Sequence, residues 1–414
     1  MKNNPEKKEI SVERELAALL SRAAVDRGFA EICTWLRACG GAKAESANIV
    51  GPTGSFKAYL TRALYEATAA ESKKFGLVVI VPDELAVRAW QKDLQALTTG
   101  TVEAWRPREL NVGPAASMSR DEEHNHLRIL QRLAGLSAPV AETCETAALS
   151  ADLADSESTA ALSANLADSE SVAMPSTSTA PPILIISAVA LLQRLPTPEE
   201  YRAASPTFAV GDYCDPTELA VRLTDMGYRR ADLAEVPGQF ARRGEIIDIV
   251  RPDGVGIRIS LFDVEIDQLK FFSPDDQRSR ENCPRAVIPP ASEICIKAAD
   301  RADLTERIRA AAQESLLHRR REQTQAKLME KLEEQLNRDL DAIAEGRWNA
   351  SLDRWLALIN SGSLLDYLAK APVLTFVDEP AEVERRLLAA YAGWREQVTV
   401  LLEQGLTFPT AAES

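Results

Sequence analysis

Leu77-Val78-Val79-Ile80-Val81 is an unbroken β-branched run closed by Pro82, and Asp83 then caps a helix carrying Leu85, Ala89, Trp90, Leu94 and Leu97. Apolar on every position, it reads as a strand buried on both faces, the mark of a parallel sheet covered by helices on each side. Working outward, Ile183-Leu184-Ile185-Ile186 is a second such run, leading into a short helix through Leu191, Leu192 and Leu195. Ala47-Asn48-Ile49-Val50 reads as a further buried strand that ends in a Gly-rich turn, with a helix from Phe56 to Ala70 behind it. Val373 to Val377 is another apolar strand, and a helix starts at Pro380. The fold class is α/β.

After about Ala204 the pattern changes. Pro216 to Met226 reads as one helix, and period-2 strands follow over Phe240 to Val250, Ile257 to Phe262 and Val264 to Phe272. Pro252-Asp253-Gly254-Val255-Gly256 supplies the hairpin turn between the first two. This is a small α+β domain over residues 205–296, inserted between an α/β domain at 1–204 and a part at 297–414. From Asp303 to Gly346 that last part reads as a long charged helix, with Leu328, Leu332, Leu336, Leu340 and Ile343 along one face.

Composition bounds the function classes. The 414 residues carry 48 basic and 62 acidic side chains, a net charge of −14. Half of that excess lies between Ala141 and Pro182, which holds acids and no Lys or Arg. Within it, Thr146 to Ser158 is repeated as Thr159 to Ser171 with Asn165 in place of Asp152. Without aromatic residues and rich in Ser, Thr and Pro, residues 146–182 read as an acidic insertion dispensable for folding. An acidic chain argues against binding duplex DNA through its whole surface. No apolar stretch is long enough for a membrane span, and the charged start at Met1 to Lys8 does not read as a secretory leader. The cysteines (Cys33, Cys39, Cys144, Cys214, Cys283, Cys295) form no C-x-x-C pair, which points to reduced thiols in the cytoplasm and no metal centre.

Several motifs tempt a catalytic reading. Gly51-Pro52-Thr53-Gly54-Ser55-Phe56-Lys57-Ala58 sits where a phosphate-binding loop would, between a strand and a helix. A working loop needs Gly before the Lys, so that backbone amides wrap the phosphates, and Ser or Thr after it to hold magnesium. Here those places are Phe56 and Ala58, so Gly51, Gly54 and Lys57 read as a non-functional remnant. Asp121-Glu122-Glu123-His124 spells a helicase tetrad, but it opens a helix, with Ser119 and Glu122 as a capping box. Asp378-Glu379 follows a strand but precedes Pro380, and His318-Arg319-Arg320-Arg321 reads as a solvated helix face. No catalytic constellation and no cofactor are assigned.

The stretch Pro237-Gly-Gln-Phe-Ala-Arg-Arg-Gly-Glu-Ile-Ile-Asp-Ile249 with Ile257-Arg-Ile-Ser-Leu-Phe-Asp-Val-Glu-Ile-Asp267 is distinctive. Together with Leu191 to Pro196, Val210-Gly211-Asp212, Leu223 to Tyr228, Gln277-Arg278-Ser279 and Val287 to Ala291, it resembles the UvrB-interaction type of domain shared by the excision-repair protein UvrB and bacterial transcription-repair coupling factors. The resemblance, closer to the coupling factors, covers most of residues 45–385. It implies a RecA-like α/β domain that has lost its phosphate loop, followed by a UvrA-binding domain. It implies a non-catalytic adaptor that recruits UvrA for transcription-coupled nucleotide excision repair. RNA polymerase and damaged DNA would be engaged only through further domains, among them a translocase motor, that the family carries downstream and this chain lacks. A truncated or split coupling factor, a stand-alone relative, an ATP-dependent translocase and a paralogue that merely competes for UvrA are the readings left open.

The resemblance places UvrA contacts at Arg243, Arg258 and Phe262. On Ile257 to Phe262, alternation turns Ile257, Ile259 and Leu261 one way and Arg258, Ser260 and Phe262 the other. Arg243 is expected beside them across the Asp253-Gly254 turn, with both guanidiniums free to meet acidic groups of UvrA and Phe262 filling an apolar recess.

Overall fold

The computed structural model describes residues 27–38, 47–68, 76–98, 100–108, 120–135, 183–294, 296–321, 326–347, 350–369 and 373–413. The 146–182 insertion, Cys39, Cys144, Cys295, the Ser119 cap and the side chains of His318 to Arg321 lie outside them.

Helix α1 (Arg27–Ala38) and α2 (Phe56–Thr68) precede β1 (Leu77–Val81). They are followed by α3 (Glu84–Leu97), β2 (Val102–Trp105), α4 (Arg120–Leu133), β3 (Ile183–Ser187) and α5 (Pro198–Ala203). Near the end of the chain β12 (Leu374–Val377) completes a parallel sheet of order β12-β1-β3-β2. Strand alternation divides its side chains between two cores. Leu77, Val79, Val81, Ile183 and Ile185 pack with Ala58, Tyr65, Val87, Trp90 and Leu94 of α2 and α3. Val78, Ile80, Leu184 and Ile186 pack on the other side with Leu127, Leu130 and Leu133 of α4. The doubly covered parallel sheet read from Leu77 to Val81 is therefore present.

Some expectations are corrected. Ala47 to Val50 is not a strand: it has no regular secondary structure and is exposed, Val50 to 93%. The place beside β1 belongs to β12, whose backbone registers Leu77 on Leu374 and Ile80 on Val377. Leu85 is exposed, because the buried stripe of α3 runs through Val87, Trp90 and Leu94. After β3 a 3-10 turn spans Ala188–Leu192, and Leu195 lies beyond it, its backbone paired with Gly362. β2 went unrecognised in the sequence, since Val102-Glu103-Ala104-Trp105 has a charged residue in its middle. That Glu103 is buried and lies within 3.2 Å of both Arg128 and Arg132 of α4.

The middle of the chain holds β4 (Thr207–Ala209), α6 (Pro216–Asp225), β5 (Arg229–Arg230), β6 (Gln239–Arg243), β7 (Ile246–Val250), β8 (Gly256–Phe262), β9 (Glu265–Phe272), β10 (Ser279–Asn282) and β11 (Arg285–Val287). β5 to β10 form one sheet in chain order, and β4 pairs with β11. Phe240 to Val250, expected as one strand, is two, because Gly244 at φ 62° turns the chain and brings Arg243 opposite Ile246. The inner face of this sheet, with Phe240, Ile247, Ile249, Ile257, Ile259 and Leu261, buries Leu219 and Leu223 of α6.

The charged helical stretch is also two elements, α7 (Arg301–Arg321) and α8 (Ala326–Ala344). Leu304, Ile308, Ala312 and Leu316 recur every four residues and bury against Met329, Leu332, Leu336, Leu340 and Ile343, joined by Trp355 and Phe408. Gly346 lies against Arg301, so the two helices run as a hairpin. Short helices α9 (Leu356–Ile359) and α10 (Leu364–Leu368) and the long α11 (Pro380–Glu403) carry the chain back, placing Leu364, Tyr367 and Val383 in the core of the parallel sheet.

These bodies meet at Glu293. Its carboxylate lies 2.6 Å from Nδ1 of His126, accepts a bond from Nε2 of Gln193 at 3.1 Å, and faces Nη1 of Arg108 at 3.4 Å. Arg108 also reaches Asp353 at 2.8 Å, and the His126 ring stacks on Trp105 with centroids 4.1 Å apart. Burial works against the charge of Glu293, but His126 and Arg108 outweigh it and hold the carboxyl below its usual range. Neighbouring Glu123 accepts bonds from Ser292 and the Glu293 amide, yet burial and the charge of Glu293 push it up. Glu293→Ala would leave Arg108 buried without one of its two carboxylates, at a cost of roughly 3 kcal/mol. The apparent melting temperature should fall by several degrees in a thermal scan, and an unchanged transition would deny Glu293 this role.

Candidate protein-interaction site

Alternation along β8 falls as the sequence indicates. Ile257, Ile259 and Leu261 are buried in the inner core, and Arg258, Ser260 and Phe262 stand on the opposite face. Arg243 reaches that face by another route than expected. It lies on β6, across the Gly244 turn from β7, and β7 intervenes between it and β8.

The residue that joins them is Asp248, which the sequence reading passed over. It lies on β7 directly opposite Arg258, and it is 1% exposed. Nε and Nη2 of Arg258 donate to its two oxygens at 2.6 and 3.0 Å, and Nη2 of Arg243 donates at 2.7 Å. Arg258 further donates to Ser279 Oγ at 2.8 Å and to the Gln277 carbonyl at 3.2 Å, with its guanidinium 5.1 Å from the Phe272 ring centre. The hydrogen bonds that Arg258 donates to Asp248, ahead of burial, which opposes them, raise its pKa. Below this cluster Ala234, Ala241, Val250 and Phe272 form a small apolar floor. Both guanidiniums, expected to be free for a partner, are thus already paired within the chain. Arg258 is 14% exposed and largely locked, Arg243 is half exposed at 47%, and Phe262 is exposed to 78%. The sequence itself offers only an acid between two isoleucines, Ile247 and Ile249; its place opposite Arg258 comes from the strand register.

At the carboxyl end of the parallel strands the Gly51 to Ala58 segment is tied to the chain around it. Gly51 and Gly54 both have positive φ, as a turn there requires, and Gly54 O accepts the Lys57 amide. Nζ of Lys57 lies 2.7 Å from both Asp378 Oδ1 and Glu379 Oε1. Nε1 of Trp90 donates to the other oxygen of Asp378 at 2.8 Å. Burial works to lower the Lys57 ammonium, but the bonds and charges of the two acids raise its pKa overall. Glu379 adopts a left-handed conformation, φ 50°, at the start of α11, a strain of about 1–3 kcal/mol that its pairing with Lys57 helps to hold. Ala58, at the place of a magnesium ligand, is buried among Tyr65, Leu77 and Val79. The tetrad Asp121 to His124 occupies the first turn of α4, as the sequence indicates. Among the described residues no cluster of His, Cys, Asp or Glu could hold a metal ion, and no helix is long and apolar enough to cross a membrane.

Comparison with known proteins bears out the resemblance. Residues 207–294 match the family model of the UvrB interaction domain. The transcription-repair-coupling factor of Bacillus subtilis is 32% identical over 235 residues, 55% of this chain and 19% of that protein. UvrABC system protein B of Cupriavidus pinatubonensis is 24% identical over 248 residues, 56% of this chain and 34% of that protein. The transcription-repair-coupling factor of Staphylococcus haemolyticus is 40% identical over 90 residues, 22% of this chain and 8% of that protein. The matched stretches thus span well under half the length of these relatives.

Two outcomes follow from the two clusters. Asp248→Ala would strip Arg258 of its buried partner and should lower unfolding stability by on the order of 3 kcal/mol in urea titration; a change below about 0.5 kcal/mol would contradict the geometry. Titration of a fluorescent ATP analogue with magnesium should give no saturable signal, because Lys57 is held by two acids. Micromolar binding abolished by Lys57→Ala would overturn that reading.

Proposed function

We propose that this chain is a UvrB-like adaptor module of the transcription-repair coupling type, which recruits UvrA for nucleotide excision repair. Its UvrA-binding unit is the domain over residues 205–296, and the docking face is the outer side of the β5 to β10 sheet. One observation carries this reading: within the region matching the UvrB interaction domain, Phe262 stands 78% exposed on the same sheet face as two arginines fastened to a buried acid. An aromatic of this size left in water, on one face with pre-oriented guanidiniums, has the make-up of an interface anchor. Arg243 keeps half its surface for an acidic group of UvrA, Phe262 fills an apolar recess, and Arg258 braces the pair through Asp248.

The module acts without chemistry of its own. The ion pairs of Lys57 with Asp378 and Glu379 support this, because two carboxylates at the ammonium would repel a phosphate brought to it. No cofactor enters the proposal. Contact with RNA polymerase and damaged DNA is assigned to parts of the coupling factors beyond the matched stretch, and the setting is the cytoplasm.

Phe262→Ala should leave the fold intact by circular dichroism and weaken UvrA binding about thirtyfold, the equivalent of roughly 2 kcal/mol, with Arg243→Ala weaker in the same direction. Undiminished UvrA capture by the folded double variant would remove this face from consideration.

A further inference from the structure

One corner of the β5 to β10 sheet carries more than Phe262. β8 turns into β9 through Asp263 and Val264, with Asp263 in the left-handed conformation at φ 59° that a two-residue hairpin turn requires. The turn sets Phe262 directly opposite Glu265. On the other side of β9 runs the segment from Gly211 to Cys214. The Gly211 amide donates to Ile266 O at 2.8 Å, the Ile266 amide to Asp212 O at 3.0 Å, and the Cys214 amide to Val264 O at 2.7 Å. Tyr213 is thereby bridged directly opposite Glu265 in antiparallel sense.

Opposed residues of antiparallel strands point to the same face, their Cβ atoms about 5 Å apart. Phe262, Glu265 and Tyr213 therefore form one row, with the Cβ atoms of the two aromatic residues about 10 Å apart and Glu265 between them. Their chain neighbours fix which face this is. Leu261, Ile266 and Cys214 are all buried in the inner core, so the row stands on the outer face. Tyr213 is 71% exposed, Phe262 78%, and Tyr213 joins none of the apolar clusters formed by the described residues.

We propose that Tyr213 is a second aromatic anchor of the UvrA-binding face and that Glu265, between the rings, receives a basic or amide donor of UvrA. This rests on the UvrA reading above and deepens it by describing the surface of UvrA that fits: an apolar recess taking two rings, a donor between them, and an acid at the edge for Arg243. Tyrosine suits the role because it brings a large contact area at the entropic cost of only two side-chain torsions, and its hydroxyl tolerates water in the unbound state. The region matching the UvrB interaction domain begins at residue 207, so it contains Tyr213 as well as Phe262. The row thus crosses two chain segments that the match treats as one unit.

The test is titration of purified UvrA against the full chain and its Tyr213→Ala, Tyr213→Phe and Phe262→Ala variants, with melting curves for each. Tyr213→Ala should melt like the wild type and bind UvrA at least tenfold more weakly, and Tyr213→Phe should retain most of the affinity. If Phe262→Ala loses UvrA while Tyr213→Ala retains it, the second anchor is refuted and the UvrA reading stands. If both retain wild-type affinity, or if the wild type does not bind UvrA, the docking face and the second anchor fall together. Loss in Tyr213→Ala alone would keep Tyr213 as an anchor and move the centre of the interface away from Phe262.

Discussion

A single buried carboxylate holds the architecture together. Glu293 belongs to the end of the middle sheet domain, yet its oxygens meet His126 from α4, Gln193 from beyond β3, and Arg108, which in turn reaches Asp353 near the helical part. An ion so buried is costly to desolvate, and that cost is met only if every partner arrives in place. The network therefore ties the parallel sheet, the middle sheet and the region beside the helical hairpin to one another. The Trp105 ring stacked on His126 and bonded to Gln193 shields the same site from water.

A second internal charge cluster does related work at the same carboxyl end of the parallel strands, toward the other edge of the sheet. Where this fold class usually receives phosphate, Lys57 ties the start of α2 to the junction between β12 and α11, and Arg386 of α11 reaches Asp83, the cap of α3, at 2.9 Å. Cations here fasten one helix to another. Asp248 repeats the theme on the middle sheet, where a buried acid organises two arginines. In each case the charged side chain is positioned by its own chain first.

The elements written as uninterrupted apolar runs, β1, β3 and β12, were legible in the sequence, as was the inside-outside alternation of β8. What escaped had a physical reason in each instance. β2 hides a buried glutamate that is tolerable only because α4 supplies Arg128 and Arg132, a partnership a local reading does not see. The split of Phe240 to Val250 turns on one glycine inside an otherwise regular alternation, and Ala47 to Val50 has the letters of a strand but no neighbour to pair with, since β12 arrives from three hundred residues away. Arg243, Arg258 and Phe262 could be picked out by resemblance, whereas Asp248 and Tyr213 emerge only when register is known, because strand pairing decides who stands opposite whom.

The strict alternation of β8 has a consequence for how such a surface can change over time. Core and exposed face are written in the same seven residues, odd positions for one and even for the other. Losing or gaining a residue between Gly256 and Phe262 would exchange them, sending isoleucines into water and an arginine into the core. Variation on this face is then confined to replacements at fixed length, one even position at a time, while insertions are diverted to the loops. Such a segment evolves like text in a fixed metre: words can be exchanged, but the line cannot be lengthened.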